Sequence, residues 1–207
     1  MFTQARKFLA YFFSLTQPDT GGDLSGFLVE RSGTTSKTIE LLMCGNGQWG
    51  GHGNNQFKTA WSPVRAKYVS GLMECKYHVL HVLLLKRVVD DDLTQGMVPI
   101  VPSAVSISSG GHVLLTLDTS TGGGKEGCDL VVFGKNHDCE LGNNKKSSLP
   151  LPTPLELPSG ERFLLRKTRA KELEDLSGKT HKNVFVEQRA VAGPGMSCVY
   201  WQALPGK

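Results

Sequence analysis

Four groups of residues have the types and spacing that chemistry requires. Thr121-Gly122-Gly123-Gly124-Lys125-Glu126 carries the glycines and lysine of a phosphate-cradling loop. A working loop of that kind also needs a glycine five residues before the last one and a Ser or Thr after the lysine to hold magnesium. Thr119 and Glu126 stand at those places, so the segment reads as a hairpin tip. His137-Asp138-Cys139 offers an imidazole, a carboxylate and a thiol. Zinc takes such ligands as spaced pairs, and no second Cys or His pair lies at a partner spacing, so these read as loop residues. His112 follows Gly110-Gly111 and lies close to Ser108 and Ser109, a base near two hydroxyls, but without the strand-turn-helix pattern that exposes a catalytic serine. Trp49, Trp61 and Trp201 are candidate interface residues, because aromatic side chains anchor binding hot spots. The expectation is a non-enzymatic protein with no catalytic residue, cofactor or metal site.

The elements that would position these groups come from an internal repeat. Cys44-Gly45-Asn46-Gly47-Gln48-Trp49-Gly50-Gly51-His52-Gly53-Asn54-Asn55 returns without gaps as Phe133-Gly134-Lys135-Asn136-His137-Asp138-Cys139-Glu140-Leu141-Gly142-Asn143-Asn144, at an offset of 89. The match keeps Gly45/Gly134, Gly53/Gly142, Asn54/Asn143 and Asn55/Asn144, and Pro63 falls on Pro152. Each copy follows an apolar strand, residues 39–44 and 130–133, and each strand is preceded by another strand and a turn. A chain that leaves one sheet without a long crossover needs backbone angles that glycine and asparagine adopt at least cost. The Asn side chains can also bond their own turn. A partial third copy is expected where residues 190–201, with Gly193, parallel residues 106–117. Residues 162–178 alternate in charge, with Leu164, Leu165, Leu173 and Leu176 near helical spacing, and predict a short inserted helix ending at Ser177-Gly178.

Composition agrees with a turn-rich, all-β chain: 24 of the 207 residues are glycine, against a usual share of roughly 7%. A net charge of +4, from 23 basic and 19 acidic side chains, falls short of a nucleic-acid-binding surface, so no nucleic acid is expected as partner. Cys44, Cys75, Cys128, Cys139 and Cys198 are widely spaced and odd in number, which argues against a disulfide framework. No apolar run is long enough to span a bilayer. Lys86 and Arg87 interrupt the longest, residues 77–89, which reads as a buried strand or short helix. Residues 1–18 lack acidic groups and pair Arg6 and Lys7 with Phe8, Leu9, Tyr11, Phe12 and Phe13, the pattern of a short transit segment or of a buried N-terminal element.

Ser106-Ile107-Ser108-Ser109-Gly110-Gly111-His112, Leu115-Thr116-Leu117-Asp118, Val132-Phe133-Gly134 with Asn136, and Leu141-Gly142-Asn143 together resemble the repeat of the regulator of chromosome condensation family, over residues 41–71 and 103–201. His52 stands where that repeat usually has leucine. The resemblance implies a β-propeller of the seven-bladed type, of which this chain would supply about two to four blades, with His112 packed and hydrogen-bonded inside its blade. More narrowly, residues 44–51, 134–138 and 186–193 are similar to the fungal mitochondrial members of the family. Those relatives imply a protein-binding scaffold associated with the mitochondrial inner membrane, peripheral to it, that assists assembly of respiratory complex III and meets its precursors. The founding relative implies another partner, a small GTPase whose nucleotide is exchanged, and a cytoplasmic or nuclear place. A truncated, non-functional product is the remaining alternative. The expected organisation is an N-terminal extension over 1–26, a first repeat over 27–71, an irregular stretch over 72–102, a second repeat over 103–157, and an insertion with a partial blade over 158–204.

Overall fold

The computed structural model describes residues 12–32, 37–67, 86–89, 96–99, 101–118, 127–174 and 177–204. These residues form an all-β protein built of antiparallel sheets. The first sheet is a four-stranded meander of β1 (Phe12–Gly21), β2 (Leu24–Ser32), β3 (Lys37–Gly45) and β4 (Ala60–Arg65) in that order. A separate hairpin joins β5 (Lys86–Val89) to β6 (Gly96–Pro99). The second large sheet repeats the meander with β7 (Val101–Ile107), β8 (His112–Asp118), β9 (Cys128–Gly134) and β10 (Leu149–Pro154), and β11 (Leu164–Leu165) also pairs with β9. A three-stranded sheet follows, made of β12 (Lys167–Glu174), β13 (Thr180–Gly193) and β14 (Met196–Ala203).

The two four-stranded meanders and the three-stranded sheet stack face on face in chain order. Leu24, Leu28, Leu41 and Met43 of the first sheet share one buried cluster with Val105, Val113, Leu115, Val131 and Phe133 of the second. The opposite face of the second sheet, through Leu114, Leu130 and Val132, meets Ala190 and Ala192 of the three-stranded sheet. Covering on both sides explains why residues 130–133 are apolar without alternation, since a strand with one wet face would carry polar side chains at every second position. Side chains also stitch the first strand of each sheet to the next. The Asp19 carboxylate accepts from the Ile107 N–H at 2.6 Å, and the Gln17 amide pairs with both backbone groups of Val105. One sheet further on, the Ser106 hydroxyl accepts from the Ala192 N–H at 3.0 Å, and Ser108 donates to the Gly193 carbonyl at 2.8 Å.

Two expectations require correction. The helix expected within residues 162–178 is not found among the described residues: residues 167–174 form strand β12, with Leu173 and Ala170 half-buried and the charged side chains exposed. Helix propensity lost to a tertiary effect. β13 offers an open ladder, and pairing brings Lys167 beside Glu187 and lays the Arg169 guanidinium 5.0 Å from the centre of the Phe185 ring. The first sheet also starts before residue 27, because β1 lies inside the segment read as an extension. The Gly22-Asp23 turn, with φ 56° at Gly22, folds β1 onto β2. The glycine-lysine segment 121–126, residues 1–11 with most of the transit reading, Cys75 and residues 77–85 of the apolar run all lie outside the described residues.

Candidate functional site

The two glycine loops fold alike. Residues 46–59 join β3 to β4 and residues 135–148 join β9 to β10 through the same succession of turns and bends. Each loop opens on a glycine with positive φ, 105° at Gly45 and 97° at Gly134. A Cβ at either place would collide with a carbonyl oxygen of the adjacent hairpin, that of Asp23 or of Gly111. The following N–H donates to that same carbonyl, from Asn46 at 2.8 Å and from Lys135 at 3.1 Å. Backbone angle and space together therefore demand glycine. Farther along, Gly53 and Gly142 have φ 63° and 67°, and Asn55 and Asn144 have φ 65° and 55°. The side-chain oxygens of Asn54 and Asn143 accept from the N–H groups of Gln56 and Lys145, both at 3.1 Å. Each loop closes with one more matching bond, Ala66 N–H to the Leu41 carbonyl and Leu155 N–H to the Leu130 carbonyl.

Inside this common frame the two loops are filled differently. In the second, Asn136 is fully buried and donates to the Asn143 side chain at 2.9 Å and to the Lys145 carbonyl at 2.6 Å, while its oxygen accepts from the Leu141 N–H at 3.0 Å. In the first, Gly47 takes the place of Asn136, and His52 that of Leu141. The His52 ring lies where a side chain on Gly47 would begin, and its Nε2–H donates to the Gly45 carbonyl at 3.0 Å. A second exchange accompanies this one. Leu24 is the cross-strand partner of Gly45, whereas His112 is the partner of Gly134. Each loop thus holds one buried histidine and one buried leucine at interchanged places.

Each loop also leans on the next sheet. Trp49 meets His137 edge to face, with ring centres 4.4 Å apart, and the Asn55 N–H donates to the Pro150 carbonyl of β10 at 2.9 Å. The second loop reaches β14: Ser197 donates to the Glu140 carbonyl at 2.5 Å, and the His112 Nε2–H donates to the Met196 carbonyl at 3.1 Å. Buried Glu140 is held by the Asp138 N–H at 2.8 Å and by the Lys135 ammonium at 3.3 Å. Burial pushes its carboxyl up, but backbone N–H donors and Lys135 outweigh this and leave it below the ordinary range. The two loops therefore make one continuous surface that presents Trp49, His137, Asp138 and Cys139.

The other tryptophans lie elsewhere. Trp61 projects from β4 with 93% of its surface exposed, which rules out packing between sheets, and Trp201 is half-exposed on β14. Gly110 and Gly111 form the β7–β8 turn, and Gly193 ends β13. Among the described residues, no three His, Cys, Asp or Glu side chains gather where they could hold a metal ion. His137, Asp138 and Cys139 are exposed side by side in the second glycine loop, with the His137 ring against Trp49. Sequence reasoning missed Gln17, Asp19 and Glu140. Only their side-chain oxygens aimed at backbone N–H groups reveal them, and polar residues at those spacings carry no such signal.

Two predictions follow from the loop interiors. Cys139 has φ 63° where the first loop has Gly50 at 82°. A left-handed non-glycine residue costs about 1–2 kcal/mol, partly offset by the greater freedom glycine loses on folding. Cys139→Gly should therefore raise stability by about 0.5 kcal/mol, read as a higher urea midpoint. Gly50→Cys should be harmful, because the added side chain meets the Pro150 backbone. The second prediction concerns pH. His52 and His112 are held below their ordinary pKa, first by burial, with backbone bonds opposing. Both donate from Nε2, and neither Nδ1 has a partner, so a proton there would be buried without an acceptor. The unfolded chain takes up those protons near pH 6.5 and the folded chain does not. Stability should be complete above about pH 6.5 and fall as the pH drops below it. Chemical unfolding between pH 7.5 and 5 would show a flat midpoint if this account is wrong, and His52→Leu with Gly47→Asn should reduce the slope.

No family model matches the chain, and no curated protein matches it.

Proposed function

We propose that this chain supplies blades of a β-propeller of the regulator of chromosome condensation type and works as a non-catalytic scaffold for protein partners. The observation that carries this reading is the repetition of one unit. Two four-stranded meanders, each with a glycine loop between its third and fourth strands, stack in chain order, and β13–β14 continues the series. Rigid sheets that present adjoining loops are suited to recognition, and the loop surface centred on Trp49 and His137 is the proposed docking face. In line with the resemblance, the proposed setting is the mitochondrial inner membrane, in peripheral association, with precursors of respiratory complex III as the partners.

Affinity capture of the tagged chain from mildly cross-linked mitochondria should recover such precursors. Trp49→Ala with His137→Ala should abolish that recovery, whereas Trp61→Ala on β4 should leave it intact. A purely nuclear location, or acceleration of nucleotide release from a small GTPase, would overturn the reading in favour of exchange.

A further inference from the structure

Among the described residues, the edges of the two large sheets and the three-stranded sheet are guarded, with one exception. β4 carries Pro63 and β10 carries Pro150, Pro152 and Pro154, which cannot donate to an added strand. β12 alternates Lys, Arg and Glu, the usual charged protection of an exposed edge. β1 and β7 are tied to one another through Gln17 and Asp19. β14, with the sequence Met-Ser-Cys-Val-Tyr-Trp-Gln-Ala, has neither charge nor proline, and all of its side chains are exposed. It is an edge strand among the described residues.

Its free hydrogen-bonding groups can be assigned. The Leu204 N–H donates to the Phe185 carbonyl at 2.8 Å, so the even-numbered residues of β14 direct their backbone toward β13. The Gln188 N–H donates to the Arg166 carbonyl on the other side of β13 and sets the same alternation. Ser197, Val199, Trp201 and Ala203 therefore offer their N–H and C=O groups outward.

We propose that β14 pairs antiparallel with β14 of a second copy of this chain, about a two-fold axis at Tyr200. Outward residues must face outward residues, which restricts the axis to a residue rather than a peptide bond. An axis at Tyr200 sets Val199 opposite Trp201 twice and Tyr200 opposite itself, giving aromatic and β-branched pairs of the kind that stabilise a ladder. An axis at Val199 would set Ser197 opposite Trp201 and Cys198 opposite Tyr200, which are poorer pairs. A second copy is the fitting occupant because an uncharged strand meets its own image without repulsion, and an isologous interface must be self-complementary.

Sedimentation of the full chain across micromolar concentrations should show a dimer. Tyr200→Lys places like charges face to face on the axis and should give a monomer. Val199→Pro removes an outward donor but no bond to β13, and it should also give a monomer. Both variants should keep the circular dichroism of the unaltered chain, and should match its melting temperature at dilutions where that chain is monomeric. Gln202→Cys tests the register, since position 202 would lie opposite Cys198 of the second copy in a non-hydrogen-bonded pair close enough for a disulfide. Peptide mapping after mild oxidation should find that cross-link. A chain that is monomeric throughout, a dimer unaffected by both substitutions, or a cross-link from position 202 only to Cys139 would each overturn the proposal. So would protection of the Val199 and Trp201 amides from hydrogen exchange in a monomer, which would mean that this chain covers its own edge.

Discussion

Asn136→Ala should destabilise the protein by about 3 kcal/mol. The buried amide satisfies the Asn143 oxygen, the Lys145 carbonyl and the Leu141 N–H, and lies 3.3 Å from the Ser147 carbonyl as well. A single hydrogen bond contributes about 1 kcal/mol net, but groups left buried without partners each cost about 1–3 kcal/mol. Incomplete access of water to the vacated space sets the effect between the sum of the bonds and the sum of those penalties. Asn54→Ala in the first loop should cost only about 1 kcal/mol, because its side chain makes one local bond to the Gln56 N–H. Urea unfolding of the two variants side by side would check the contrast. If Asn136→Ala shifted the midpoint no more than Asn54→Ala, the amide would not be the centre of its loop. A loss of this size is a large part of a stability of about 5–15 kcal/mol, so the second loop should be the more fragile to substitution at its interior.

The second large effect is a non-additive pair. Gly47→Asn alone should cost about 3 kcal/mol or more, since the new side chain must enter space filled by the His52 ring and the Lys58 carbonyl. His52→Leu alone should cost about 2–3 kcal/mol, because the Gly45 carbonyl loses its donor and a gap opens over Gly47. Made together, the two changes copy the Asn136 and Leu141 interior into the first loop. The Lys58 carbonyl, which corresponds to that of Ser147, would then face an amide donor. The double variant should return to within about 1 kcal/mol of the starting protein, a coupling of several kcal/mol. Simple additivity would show that the two loops are not interchangeable frames. The same experiment removes one of the two buried histidines, so the double variant should also resist acid better than the starting protein.

These pairs bear on the proposed docking of partners at the loop surface. Trp49 is carried by the loop that His52 fills, and His137 by the loop that Asn136 fills, and their edge-to-face contact joins the two. A variant that loosens either interior should weaken partner capture even though the substituted residue is buried. The double variant, with its frame restored, should recover it. Recovery without restored stability would mean that the surface tolerates a softened frame.

The amino-acid sequence by itself determined the class of structure and the places of the loops. Glycine content, short apolar runs and the Gly and Asn positions at an offset of 89 required an all-β chain with two matching reversals, because those residues answer to local backbone angles. Tertiary structure decided what local rules do not reach. Strand pairing turned residues 167–174 from an expected helix into β12, since an open ladder on β13 outweighed helix propensity. The repeat also extends farther upstream than its letters show. Gly45 pairs with Leu24 but Gly134 pairs with His112, so the offset slips from 89 to 88 across the β2–β3 connection and conceals the likeness of the earlier strands. The interchange of histidine and leucine has the same origin. A shared buried volume links Gly47 to His52, and a hydrogen bond from the Leu141 N–H links that residue to Asn136; both belong to neighbours in space, not to spacing along the chain.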